Sequence, residues 1–259
     1  MISLTKRQKF VISSLSLSLG FLAINLLDNQ YRFWAIGGLT ALTIIAFFWS
    51  LVEGLALDTT LLTLILPSFF TLGVGLFWFL LPSTIFAKLP VVILYGIGIY
   101  SLCLTSNIFS VSIIRTIALV RAAKGVGFVL TLFTFFLLFD AILSIRVRLE
   151  INALAISLVS LPLFLQGFWQ TSLEKKLETK IIIFSLISTF GLIEIGTLLY
   201  FWPITVVVGS LFLTVSAYVL LGLGQASIEG RLFKQTARDY LVIATLVFIS
   251  MFFVTHWGG

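Results

Sequence analysis

TLFTFFLLFDAILSIR, residues 131–146, decides the fold. Its first nine residues are apolar or carry a hydroxyl. A membrane-barrel strand would instead alternate apolar and polar residues over about ten positions. Without that period the run is an α-helix, which satisfies its own backbone groups where no water can. Extended backward through VGFVL it predicts a span over 126–145, close to the about 20 residues that cross a hydrocarbon core.

Eight further runs of this kind flank it, at 10–27, 33–52, 60–81, 89–106, 151–170, 181–202, 204–224 and 240–257. The prediction is an all-α, polytopic transmembrane helix bundle of nine spans. Eight is the alternative, with one run re-entrant or interfacial, because the connector GLALD at 54–58 carries no base. The first run follows MISLTKRQKF and exceeds the apolar stretch of a signal peptide, so it reads as a retained span. The longest polar connectors, 107–125 and 225–239, are too short to fold alone, and residues 1–259 read as one integral membrane domain.

Composition agrees. Hydrophobic residues make up 60% of the chain and charged residues 10%, too few to cover a soluble globule. Mean hydropathy is +1.18. The single Cys103 and single His256 permit no intrachain disulfide and no Cys/His metal centre, and no metal or organic cofactor is implied. The net charge of +6 lies in short clusters between apolar runs, without the aromatic interleaving that stacks bases, so nucleic acid is not a partner.

Those bases orient the chain. Threaded with its N-terminus inside, it places only Arg32, Lys88, Arg146 and Arg148 outside; the other 12 of its 16 Lys and Arg face the cytoplasm. That bias predicts N-in, C-out in a plasma (cell inner) membrane of bacterial type. All six Trp lie near predicted span ends, where indoles favour the headgroups.

Spans two to five (33–145) and six to nine (151–257) match in length. In each block the third span follows a proline, Pro90 or Pro203, and leads into the longest basic connector. This pattern predicts two parallel four-helix repeats. In the first connector, Ile108, Val111, Ile114 and Ala118 share one helical side. Arg115, Arg121 and Lys124 would sit at the inner headgroups, as contacts for anionic lipid or a cytoplasmic partner. The bland reading is a cytoplasmic extension of span four with topogenic charges.

Two acids stand inside spans. Glu194 lies eight residues from the outer end of span seven, about 12 Å deep. An acid there is costly unless it faces a partner or water, so Glu194 is expected to point into the bundle. Asp140 lies five residues before the outer end of span five, ahead of Arg146 and Arg148. If spans five and seven are neighbours, Asp140, Glu194 and an arginine share one outward-facing pocket. The bland readings are a structural hydrogen bond for Glu194 and, for Asp140, snorkelling or a pair with Arg146.

No P-loop, H-E-x-x-H or G-x-S-x-G sequence is present, and GLGQASIEG lacks the third glycine of a dinucleotide fingerprint. Three functions follow. The first is a non-enzymatic subunit or scaffold packing against another membrane protein or its own copies in the lipid bilayer. The second is a small secondary transporter or lipid-handling permease, with Glu194 as its protonatable carboxylate. The third is an intramembrane enzyme on a lipid-linked substrate, using Asp140 and Glu194 as acid and base and Arg146 or Arg148 for phosphate.

Overall fold

The computed structural model describes residues 5–24, 27–51, 57–81, 85–112, 118–174 and 177–255. Among these residues every regular element is an α-helix. Nine helices follow in order: α1 Lys6–Ile24, α2 Asn29–Leu51, α3 Leu57–Trp78, α4 Ile85–Ser112 and α5 Val120–Ile145, then α6 Leu149–Ser172, α7 Thr179–Tyr200, α8 Val206–Ile228 and α9 Lys234–Val254. Each matches one predicted run. Eight of them, α2 to α9, are long and apolar enough to cross a membrane. The exception is α1, whose start holds Lys6, Arg7 and Lys9 and whose middle holds Ser13, Ser14, Ser16 and Ser18.

Several helices outrun their apolar runs. α4 continues to Ser112, α5 starts at Val120 and α9 at Lys234, so predicted connector residues are helical. Lys, Arg and Gln are strong helix formers, and their long stems lie along apolar surface while the charge stays wet. One repeat cue changes as a result. Pro203 stands ahead of α8, but Pro90 lies inside α4, five residues past Ile85.

The chain folds as two compact units, Met1–Thr134 and Phe135–Gly259, with the boundary inside α5. In the first unit α1 packs on α4 and α2, α2 on α3, and α3 on α4. Its centre is aromatic. The Phe21 ring lies 4.8 Å from Trp78 and 5.0 Å from Tyr95, whose other neighbour Phe70 stacks at 5.9 Å. A chain of hydroxyls links three of these helices, with Thr43 3.1 Å from Thr71 and Thr71 3.1 Å from Tyr95.

In the second unit α6 packs on α7 and α8, α7 on α8, and α8 on α9. A phenylalanine ladder runs from Phe135 to Phe164 (5.3 Å) and on to Phe168 (5.7 Å). Phe168 fits because Gly224 of α8 faces it; a Cβ at 224 would overlap the ring. Beside it, Gln225 Nε2 donates to Gly167 O at 2.8 Å, tying α8 to α6. Two bonds set the helix directions. Lys180 Nζ at the start of α7 donates to Ser227 O at the end of α8 (3.1 Å), and Trp202 Nε1 just past α7 donates to Thr255 Oγ1 just past α9 (2.9 Å). The Gln225–Gly167 bond likewise brings the last turns of α8 and α6 together, so the turns α5–α6 and α7–α8 share the other end of this unit.

Candidate functional site

The α5–α6 turn forms the best-built site. α5 ends at Ile145, and Arg146 turns the chain with φ +49°, the left-handed region that glycine usually occupies. Arg148 is the N-cap of α6 and offers no side-chain cap. Under this turn the ends of α5, α6, α7 and α8 line a half-open cavity of about 400 Å³. Ile142, Leu143, Leu199 and Ile204 supply apolar wall; Arg146, Asn152 and Thr205 supply polar groups. None of the residues lining the cavity is acidic. Asn152 is only 5% exposed, and its Oδ1 is buried with no hydrogen-bond partner.

The predicted residues fall in three places. Arg146 and Arg148 are both exposed, but only Arg146 lines this cavity. Asp140, six residues before Arg146 and so deeper in α5, is buried and accepts from Ser210 Oγ of α8 at 3.2 Å. Ser210 also reaches Val207 O at 3.0 Å, so one hydroxyl proton serves two acceptors. Asp140 thus neither snorkels nor pairs with Arg146: serine of α8 is its partner, and no ion pair involves it among the described residues.

Glu194 corrects the sequence expectation. It does not point into the bundle: its side chain is exposed on α7, in a stripe with Ile187, Phe190 and Leu198, which are 61–66% exposed. The opposite face buries Ser185, Ser188, Leu192, Gly196 and Leu199. At about 100° per residue, position 194 lies about 200° from both Leu192 and Gly196, so it must face away. α7 packs on α6 and α8, and neither Asp140 nor Glu194 lines the cavity. The shared acid pocket is therefore not formed.

At the other end of α5, Arg121 is exposed and Lys124 half-buried, both near the helix start. Arg115 lies outside the described residues, as do His256 and the connector GLALD up to Ala56. α4 running on to Ser112 fits the reading of that segment as an extension of span four. Among the described residues no group of three or more His, Cys, Asp or Glu converges to hold a metal.

Sequence reasoning missed Asn152. Its signal is a carboxamide three residues into an apolar helix, in LEINALAIS, directly after the paired arginines.

The chain belongs to the family described as "Protein of unknown function (DUF5656)", whose model matches residues 34–254. That match covers α2 to α9, beginning inside α2, and leaves α1 outside. No curated protein matches the chain, and no solved structure does.

Proposed function

We propose that this protein is a non-enzymatic, multi-pass membrane subunit that binds another membrane protein through the Glu194 face of α7. One observation carries the reading: a carboxylate exposed six residues from the end of an apolar 22-residue helix. At 1.5 Å per residue it stands about 9 Å inside the helix end, where exposure to lipid costs up to about 3 kcal/mol, the figure for the middle of a span. A partner helix that brings a cation or a hydrogen-bond donor to Glu194 removes that cost. The positive-inside bias supports N-in, C-out in a plasma membrane, which puts Glu194 in the outer half of the bilayer.

The test separates partner from lipid by sign. The protein is extracted in native lipid, the mass of the complex is measured and its copurifying chains are identified, for wild type and for Glu194→Leu. A stoichiometric partner that is lost in Glu194→Leu and largely kept in Glu194→Gln supports the reading. If Glu194 faces only lipid, leucine there improves stability and leaves the complex mass unchanged, and the reading fails.

A second reading, a lipid-handling permease, is favoured by α6. Buried polar atoms of Asn152, Ser160 and Gln170 lack partners along one side of this helix. The 18 residue steps from Asn152 to Gln170 rise about 27 Å, close to a bilayer core. Glu194, on the outer face, is not its interior proton carrier. Transbilayer movement of a fluorescent phospholipid in proteoliposomes no faster than in protein-free vesicles removes this reading.

A further inference from the structure

We propose that the cavity under the α5–α6 turn binds a phosphate ester that carries a neighbouring hydroxyl, the head chemistry of an anionic glycerolipid or of a free glycerophosphate. The inference stands apart from the partner reading, which uses a different face of the unit. Its volume of about 400 Å³ lies in the range of ligand pockets, about 300–1,000 Å³.

Three features set the ligand chemistry. Arg146 lines the cavity while remaining exposed, makes no ion pair among the described residues, and has no acidic neighbour in the wall, so its guanidinium is available to a ligand. An anion is its complement, and a phosphate matches the planar fork bidentately. Second, Asn152 is buried with its Oδ1 unpaired. A buried acceptor left empty is costly, so the ligand brings a donor, and a hydroxyl beside the phosphate supplies it. Thr205 Oγ1 accepts from Val208 N at 3.4 Å as the N-cap of α8, which leaves its own proton for a second phosphate oxygen.

Third, the remaining wall is mostly aliphatic, with Tyr200 and Trp202 beside it. Leu143, Leu199 and Ile204 offer a surface to the first methylenes of an acyl chain. A lipid buries this surface, whereas a free glycerophosphate leaves it bare. On the N-in threading the cavity opens at the outer leaflet, with Trp202 at headgroup level.

The test is a binding titration of the full-length protein in mild detergent, followed by native mass spectrometry and by the thermal midpoint. Four probes are compared: phosphatidylglycerol, phosphatidylcholine, glycerol 3-phosphate and inorganic phosphate. Phosphatidylglycerol is expected to bind at least about tenfold tighter than phosphatidylcholine. Arg146→Gly and Arg146→Asn, both suited to the positive φ at that position, are expected to weaken it by about tenfold or more. Asn152→Leu removes the hydroxyl's acceptor and is expected to narrow the difference between phosphatidylglycerol and phosphatidylcholine. Arg148→Gly, outside the cavity, leaves binding unchanged. Glycerol 3-phosphate binding as tightly as the lipid keeps the head chemistry and makes the source water-soluble. Equal affinity for the two lipids, or equal loss from Arg146→Gly and Arg148→Gly, overturns the site.

Discussion

Tyr95, Thr71 and Thr43 make a chain whose direction can be deduced. Thr43 donates its single proton to Leu39 O at 2.9 Å, so its oxygen accepts from Thr71. Thr71 has then spent its proton, and accepts from Tyr95. All three side chains are at most 1% exposed. Removing the first donor, in Tyr95→Phe, leaves one acceptor empty at a cost of about 1 kcal/mol. Removing the middle member, in Thr71→Val, strands the Tyr95 donor and empties the Thr43 acceptor, at about 1–3 kcal/mol. Thermal midpoints of the two variants in lipid nanodiscs check the order; a larger loss from Tyr95→Phe would refute the deduced direction. Glu194 shows how far single residues were legible. Its depth was readable by counting, but its direction was expected from cost alone. The packing face was already marked by Ser185, Ser188 and Gly196, small residues at spacings of three and eight that let a neighbouring helix approach. Glu194 sits off that face, so its cost alone did not give its direction.

Helices were legible as elements because an apolar run of this length has few alternatives to an α-helix when it must hydrogen-bond itself. Their ends were less so, since the apolar run stops at the headgroups while the helix continues, as at Val120 and Lys234. How the helices pack was the least legible, and Gly222 and Gly224 show why. In the sequence they resemble a fragment of a nucleotide fingerprint; in the structure Gly222 faces the Tyr240 ring and Gly224 the Phe168 ring. The ring at 168 is fully buried and cannot swing aside. Gly224→Ala is therefore expected to destabilise by about 1–3 kcal/mol through overpacking, despite alanine's better helix propensity. Gly125 in α5 has nothing within 4 Å of where a Cβ would stand. Gly125→Ala keeps the propensity gain, up to about 1 kcal/mol, and is expected to stabilise. Unfolding midpoints with opposite signs for these two alanines are the expected result. A stabilising Gly224→Ala would mean that α8 does not approach α6 as closely as the Phe168 contact requires.

At the scale of the whole chain, the contacts repeat. Within the first unit α2, α3 and α4 pack pairwise, and within the second α6, α7 and α8 do the same. That is the pattern two parallel blocks, 33–145 and 151–257, would need, and we keep the duplication as a proposal. The blocks differ at their last helices, because α5 crosses the boundary between units while α9 lies wholly in the second. A parallel arrangement has a consequence for sidedness that charge alone also demands. If the N-terminus is cytoplasmic, Arg121 at the start of α5 faces the cytoplasm and Arg148 at the start of α6 faces outward. Cys103, the single cysteine, is fully buried in α4, so the background for thiol labelling is low and Cys103→Ala removes it. In that variant, a membrane-impermeant maleimide should label Arg148→Cys in intact cells and Arg121→Cys only after permeabilisation. Both substitutions remove a base, so each is paired with a cysteine beside the retained arginine, Leu149→Cys or Ala122→Cys, to exclude a charge-induced flip. The opposite labelling pattern in both pairs would invert the topology. The cavity at Arg146 would then open to the cytoplasmic leaflet, and Glu194 would lie in its half of the bilayer.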